Sequence, residues 1–367
     1  MGTRMGKAIA LQIRQLAIGY RMPGKMKRVA EDLSAGMYEG ELVCLLGANG
    51  TGKSTLLRTL CGFQPFFEGE IRIRGRSIRQ LREKELSLLV SVVLTERILL
   101  PHTTVSELVA YGRSPYTGLL GKANREDMQI VEQAMFRCGI AHKKEELLSA
   151  LSDGERQKAF IAKALAQDTP VILLDEPTAF LDLPARVEII QLLREIAFSS
   201  GKSVLLSTHD LDLALQMADR LWLLHHGGPL VTGSPEDLLL QNAFQPMFER
   251  KGIEFDNRSG LFRVTHTENR SLAIKGHGFG YVLLRRAFAR KGIRLDPRQP
   301  DGDMHVEITS DEAPVFSLFC LDKCVFRTKQ VEAFVEQTVR LLESQGMISE
   351  INLMTSGTAG YDTEKTD

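Results

Sequence analysis

The chain has 367 residues, with 46 Lys and Arg against 46 Asp and Glu, and 43% of its residues are hydrophobic. At roughly 150 residues per domain this length predicts about two domains, and zero net charge argues against a protein held on nucleic acid by bulk charge while leaving room for a local basic patch. No run approaches the roughly 18 apolar residues of a membrane span, and five scattered cysteines point to free thiols in a reducing compartment rather than a disulfide framework.

Residues 8–46 alternate apolar and polar positions, and Ile9–Leu16 and Glu41–Leu46 read as strands. Arg14 interrupts the apolar stretch that follows the weakly basic start, so no signal peptide is expected. Glycines at 47, 50 and 52 precede a helical pattern over Ser54–Leu60. From Thr104 to Ala166 the apolar period is helical, as in Val105, Leu108, Val109 and then Val131, Ala134, Met135. Short apolar runs return at Val171–Leu174 and Val204–Leu206, each followed by a helical stretch. That alternation predicts a parallel sheet flanked by helices, with a helical insert at about 101–166. After Phe248 the composition changes, and Lys251–Gly260, rich in charge and glycine, reads as a boundary. Strand-like pieces follow at Leu261–Thr265, Leu272–Lys275, His305–Thr309 and Val315–Phe319, with helices at Tyr281–Arg290 and Val331–Leu342. They predict a small α+β domain over about 258–354. The polar tail 355–367 is expected to be disordered.

Gly47-Ala-Asn-Gly-Thr-Gly-Lys-Ser54 fits the G-x-x-x-x-G-K-[ST] phosphate loop. Glycines let successive backbone N–H groups of Gly47, Ala48, Asn49, Gly50, Thr51 and Gly52 turn inward around a phosphate, and the helix opening there adds its positive end. Lys53 supplies a charge to the β- and γ-phosphates, the Ser54 hydroxyl is a candidate Mg²⁺ ligand, and Thr55 completes the run of candidate ATP-binding residues. The apolar run Val171-Ile-Leu-Leu ends in Asp175 and Glu176. A buried strand that delivers Asp175 to its C-terminal end presents a Mg²⁺-positioning carboxylate. Glu176 beside it can orient or deprotonate an attacking water.

Leu151-Ser-Asp-Gly-Glu-Arg-Gln157 lies between these two motifs. With it, residues 8–252 resemble the nucleotide-binding subunit of an ABC transporter. The resemblance implies an α/β fold: a phosphate-loop ABC ATPase core of mixed sheet with a helical subdomain, here followed by the small C-terminal α+β domain. The family signature is a Leu-Ser-Gly-Gly-Gln-like peptide. Ser152 and Gly154 match it, whereas Asp153 and Glu155 depart and both add negative charge. The resemblance implies that Ser152, Gly154 and Glu155, with Asp182 of Phe180-Leu-Asp182, face the ATP of a partner subunit. Two extra carboxylates there weaken the grip on ATP unless Arg156 or the helix N-terminus compensates. By the same resemblance Tyr20 stacks on adenine, and His209, after Leu205-Leu-Ser-Thr, contacts the γ-phosphate and the catalytic water. The family's Mg²⁺-sensing Gln has no counterpart in Val93-Leu-Thr-Glu96-Arg, and Glu96 is the candidate for its place.

Thr104–Gly118 resembles the importer branch that serves iron–siderophore, haem and cobalamin uptake. That branch implies ATP and Mg²⁺ as cofactors and a homodimer of ATPase subunits. It also implies an integral-membrane permease, an indirect link to a substrate-binding protein, no nucleic acid, and a peripheral place on the cytoplasmic face of the bacterial inner membrane. The alternatives are a soluble ABC-type ATPase of assembly, repair or translation, an exporter subunit and an unrelated phosphate-loop kinase. The single cassette, the Val105–Gly118 segment and the signature peptide with His209 argue against each in turn.

The resemblance is silent beyond residue 252. Lys275-Gly-His-Gly-Phe-Gly280 with Asp296 partly matches a dinucleotide fingerprint. Tyr281 stands where its third glycine belongs, so a glycine turn with a capped helix is the favoured reading. Cys320 and Cys324, with His305, are weighed as a metal or redox site and read instead as thiols packed in a small core. His225-His226-Gly227 reads as a strand turn rather than a metal site. The C-terminal domain is expected to be a dimer-contact or regulatory module.

Overall fold

The computed structural model describes residues 7–22, 25–95, 100, 102–117, 123–248, 253–256, 261–264, 267, 269–297, 304–309, 312–321 and 323–356. The chain divides into two compact units, Met1–Arg263 and Val264–Asp367. In chain order the first unit holds β1 (Ile9–Met22), β2 (Lys25–Tyr38), β3 (Leu42–Leu46), α1 (Lys53–Leu60), β4 (Glu68–Ile73), β5 (Arg76–Ser77), α2 (Glu83–Ser87) and β6 (Val90–Val93). There follow α3 (Val105–Ala110), α4 (Arg125–Arg137), α5 (Asp153–Ala166), β7 (Val171–Asp175), α6 (Leu183–Ser200), β8 (Ser203–Ser207) and α7 (Leu211–Met217). Then come β9 (Arg220–Leu224), β10 (Leu230–Gly233), α8 (Pro235–Leu240) and α9 (Gln245–Phe248).

A six-stranded sheet runs β10-β9-β3-β8-β7-β6. All its pairings are parallel except β9 with β10. The residues of β3, β7 and β8 are all buried, which is why these strands read as unbroken apolar runs. Successive residues of β3 feed opposite cores because a strand's side chains alternate. Leu42, Cys44 and Leu46 join Ile161, Ile189, Leu193 and Leu206 beside the helices. Val43 and Leu45 join Leu11, Ile13, Met37, Leu57 and Trp222.

That second core is roofed by a sheet the chain pattern did not reveal as separate, β2-β1-β4-β5, antiparallel throughout. The expected strand Ile9–Leu16 continues to Met22. The reason is a bulge: Gln15 has φ +45°, and the pairing register shifts between Ile13 and Leu16. The alternation changes phase there, so the second half of the strand does not continue the first half's pattern. Between β6 and β7 the helices α3, α4 and α5 form the expected insert, with Val105, Leu108, Val131, Ala134, Met135 and Ile161 in its core.

The strands β11 (Ile253–Asp256) and β12 (Leu261–Val264) form a two-stranded sheet. The second unit holds β13 (Arg270–Lys275), α10 (Gly278–Ala289), β14 (Ile293–Asp296), β15 (Met304–Thr309), β16 (Val315–Cys320), β17 (Lys323–Thr328) and α11 (Val331–Ser356). Its sheet order is β14-β13-β15-β16-β17, with β13 parallel to both neighbours and β15, β16 and β17 successively antiparallel. Phe334 of α11 sits at its centre, with ring centroids 5.7 Å from Phe316 and 6.3 Å from Phe288. The helix expected to end at Leu342 runs on to Ser356, so Thr355 and Ser356 are helical; the rest of the tail lies outside the described residues.

All five cysteines are thiols, and burial pushes those of Cys44, Cys61 and Cys138 up to about 12. Cys320 is half-buried and Cys324 exposed, so the expected pair of core thiols does not form. The turn between β16 and β17 carries them out of the core. Among the described residues no three His, Cys, Asp or Glu side chains group to hold a metal, and no helix is long and apolar enough to cross a membrane.

Candidate active site

The loop from Gly47 to Gly52 joins β3 to α1 at the C-terminal edge of the parallel strands. Gly50 and Gly52 have φ of +84° and +106°, conformations that side chains with a Cβ avoid. A Cβ on Gly47 would lie 2.8 Å from the Leu224 carbonyl, so the loop's first residue also has no room for one. Thr51 Oγ1 donates to the Ala48 carbonyl at 2.9 Å and closes the loop. Lys53 folds back over it: Nζ donates to the Gly47 carbonyl at 2.9 Å and the Ala48 carbonyl at 3.4 Å. Its burial lowers the ammonium pKa, while Glu176 and Asp175 pull it back up. The cation is therefore held beside two carboxylates at the mouth of the glycine loop. Helix α1 has no side-chain cap at Gly52, which leaves its first N–H groups to meet an anion.

Asp175 is the last residue of β7 and only 5% exposed. Its Oδ1 accepts from Ser54 Oγ at 3.1 Å and from Ser207 Oγ at 2.7 Å. Ser207 also accepts from the Glu176 backbone N–H at 2.9 Å, and Thr95 Oγ1 donates to the Asp175 carbonyl at 2.7 Å. Ser207 thus fixes the Asp175 carboxylate and the Glu176 backbone, Thr95 fixes the Asp175 backbone, and sequence reasoning gave neither a role. The signal for Ser207 was present: a hydroxyl closing an apolar run just before Thr208 and His209. Glu176 has φ +48°, a left-handed backbone uncommon for a residue with a side chain. Its Oε1 lies 3.5 Å from His209 Nδ1. Tyr20, at 41% exposure, reaches the loop from β1, its hydroxyl 2.9 Å from Thr55 Oγ1.

Tyr20, Lys53, Ser54, Thr55, Asp175, Glu176 and His209 are therefore brought together from β1, α1, β7 and the end of β8. Hard oxygen donors on Ser54 and Asp175, beside a phosphate loop, are the donor set that suits Mg²⁺, which keeps water and phosphate oxygens as its other ligands. Glu96 lies outside the described residues.

Ser152, Gly154, Glu155 and Asp182 form a second group with local bonds. Ser152 caps α5: its Oγ accepts from the Glu155 N–H at 3.3 Å, and Glu155 Oε2 accepts from the Ser152 N–H at 2.9 Å and hydroxyl at 2.8 Å. These bonds hold the Glu155 carboxyl below the usual glutamate range, helped by Lys143 at 3.7 Å. Asp153 pairs with Arg156 Nη1 at 3.0 Å. The two carboxylates by which the signature peptide departs are thus both compensated locally. Asp182 caps α6 through the Ala185 N–H at 3.0 Å, and a Cβ on Gly154 would sit 3.6 Å from the Ala185 Cβ. The signature peptide and the start of α6 are therefore neighbours.

A family model described as ABC transporter matches residues 30–179. Among curated proteins, an uncharacterized ABC transporter ATP-binding protein of Methanocaldococcus jannaschii is 34% identical over 75% of this chain and 94% of its own length. The petrobactin import ATP-binding protein of Bacillus anthracis is 35% identical over 65% of this chain and 87% of its own. The ferric enterobactin transport ATP-binding protein of Escherichia coli is 34% identical over 67% and 90%. Among solved structures, one described as an inward-facing metal-chelate type ABC transporter aligns at TM-score 0.57 and 26% identity, over 65% of this chain and 88% of that one. A dimeric bacterial ABC transporter cassette aligns at TM-score 0.54 and 26% identity, over 61% and 98%. The chain belongs to the ATP-binding proteins of ABC transporters.

Proposed function

We infer that this chain is the ATP-hydrolysing subunit of an ABC importer for iron–siderophore, haem or cobalamin-type ligands. The cluster of Lys53, Ser54, Asp175, Glu176 and His209 at one sheet edge carries the ATPase reading. The import class rests on relatives named for petrobactin and ferric enterobactin, each matched over more than four-fifths of its length. In this reading the N–H groups of residues 47–52 and the Lys53 ammonium bind the β- and γ-phosphates, and Tyr20 stacks on the adenine. Ser54 and Asp175 hold Mg²⁺, which supplies positive charge to the phosphate oxygens. Glu176, held by the Ser207 hydroxyl through its backbone, orients and deprotonates the attacking water, and His209 steadies that carboxylate and meets the γ-phosphate.

The neighbouring signature group supports a composite site in a homodimer, in which Ser152, Gly154 and Glu155 of one copy, with Asp182, close over the ATP held by the other. The dimeric cassette among the structural relatives supports the same reading. Glu96 takes the place of the family's Gln in coupling to the permease. The assembly sits on the cytoplasmic face of the bacterial inner membrane and is fed indirectly by a substrate-binding protein. Balanced charge supports the absence of a nucleic-acid partner. Residues 8–252 form the ATPase domain and 258–354 an accessory module for dimer contact or regulation. Truncation after Arg263 should therefore alter dimerisation or the regulation of uptake.

Tagged Glu176→Gln protein, purified from native membranes with ATP and Mg²⁺, tests the proposal. Mass spectrometry should identify a polytopic permease in the purified material. A soluble partner alone would assign the chain to a non-transport ABC ATPase instead.

A further inference from the structure

A buried guanidinium in the helical insert plays no part in the phosphate chemistry. Arg113 is 6% exposed and lies in a short turn after α3. Its Nε donates to Asp127 Oδ1 at 2.9 Å, and its Nη1 donates to the Ala166 carbonyl, the last of α5, also at 2.9 Å. The guanidinium stacks 3.8 Å from the centre of the Tyr116 ring, and the Tyr116 hydroxyl donates to the Gln167 carbonyl at 3.1 Å. Asp127 itself closes the capping box that starts α4, through the Asn124 N–H at 3.0 Å. A Cβ on Gly112 would lie 2.3 Å from the Lys163 carbonyl, so the turn rests directly on the last turn of α5. Gln167 then donates to the Ser87 and Val90 carbonyls at 2.7 and 3.1 Å, where β6 enters the central sheet.

These contacts join the end of α5, through the Lys163, Ala166 and Gln167 carbonyls, to the start of α4 and the entry of β6. The other end is Ser152, exposed and capping its own helix, with only short-range ties beside it from Arg156 to the Leu148 and Leu151 carbonyls and from Glu155 to Lys143. Helix α5 has 14 residues, a rod of about 20 Å, so a tilt of about 5° at the held end would move Ser152 by about 2 Å. Misplacing a reacting or binding group by about 1 Å can cost about a hundredfold in rate. A buried ion pair is weak evidence of stabilisation, since packed apolar residues often do as well. What the pair supplies here is direction. One planar fork meets a carboxylate on α4 and a carbonyl on α5 together, which the single point charge of a lysine cannot do.

We propose that Arg113 is a positioning residue: with Asp127, Tyr116 and Gln167 it forms the fixed pivot from which α5 aims the signature peptide at the ATP of a second copy of this chain. The proposal rests on the composite-site reading given above. The bonds of Arg113 go to Asp127 and the Ala166 carbonyl and not to the Gly47–Thr55 segment, Asp175 or Glu176, so its loss acts on dimer closure and leaves nucleotide capture by the phosphate loop intact.

The test uses the full chain. ATP-driven dimerisation is measured by sedimentation velocity in a Glu176→Gln background, ADP affinity by calorimetry, and kcat and KM in the background that retains Glu176. The double variant Arg113→Met with Asp127→Leu removes both charges and keeps the volume filled. It should melt cooperatively and bind ADP as the parent does. ATP-driven dimerisation and kcat should each fall by about tenfold or more. Gly112→Ala, which pushes the turn off α5 without touching the ion pair, should act in the same direction. Arg113→Lys should recover folding but not dimerisation, and it carries the test if the double variant does not melt cooperatively. A folded variant that dimerises and turns over like the parent overturns the pivot. A parallel loss of ADP affinity overturns it too, because the effect would then be general. A parent that stays monomeric with ATP overturns the composite-site reading itself, and the pivot with it.

Discussion

Two glycine-rich loops in this molecule follow a parallel strand and open a helix; both hold glycines packed too closely for a Cβ, as at Gly47 and Gly52 of the first, and they differ at Gly50. In the loop between β3 and α1, Gly50 has φ +84° and open space where a Cβ would point. The backbone is bare because something is to approach it. In the loop between β13 and α10 a Cβ on Gly276 would lie 2.8 Å from the Ile308 Cβ, and in the first turn of α10 one on Gly280 would lie 2.9 Å from the Pro314 Cβ. There the glycines let the helix close onto the sheet, and protein atoms already fill the space a ligand would need. Neither helix has a side-chain cap at its start. The helices α3, α4, α5 and α6 each do, so their first N–H groups are already partly engaged. The first loop alone adds a returning lysine and two carboxylates from another strand. A glycine pattern becomes a phosphate site only when charge converges on it.

The sharpest way to break this contrast is through the charges of the first loop. Glu176→Gln should lower phosphate release by about 10²- to 10⁴-fold while nucleotide binding survives. Lys53→Ala should abolish binding itself, as read by calorimetry with ATP. If Glu176→Gln turned over normally, the cluster would not be the hydrolytic centre. The next test belongs to the second loop. Gly280→Ala overpacks the contact with Ile308 and Pro314 and should destabilise the C-terminal unit by about 1–3 kcal/mol in a melting experiment, with ATP turnover unchanged.

The capped helices give smaller effects with a defined sign. The Asn124 N–H and Arg113 hold the Asp127 carboxyl below the usual aspartate value of 3.8. Asp127 therefore contributes stability that is present above about pH 4 and lost as the pH falls through its lower folded value. Asp127→Asn should flatten the acid limb of a denaturation profile below that pH. Smallest of all, Glu155→Gln keeps a capping-box residue at the third position of α5. It should leave the melting temperature close to the parent's and the turnover within about twofold, since Asp153 and Glu155 are already compensated by Arg156, Ser152 and Lys143.

Much of the site was legible in order along the chain, because a phosphate loop and a strand ending in paired carboxylates are local patterns with local causes. Ser207 and Thr95 were not, since each acts on Asp175 or Glu176 only after β6, β7 and β8 lie side by side. Nor was the antiparallel sheet over the second core, because a bulge at Gln15 breaks the alternation by which a long strand is recognised. The same holds for Cys320 and Cys324. Their spacing suggested a packed pair, and the turn between β16 and β17 leaves one half-buried and the other exposed.

The sequence by itself determined the phosphate-loop pattern with its lysine, the paired carboxylates Asp175 and Glu176, three of the buried parallel strands and a helical stretch between them. Each of those follows from apolar periodicity or from a short motif whose backbone demands are met within a few residues. Only the tertiary structure decided what each glycine is for, which hydroxyls hold Asp175 and the Glu176 backbone, and that a guanidinium at Arg113 ties α4 and α5 to one point. Those facts depend on residues far apart in the chain meeting at hydrogen-bond distance, and the spacing of residues along a strand or helix does not encode such meetings.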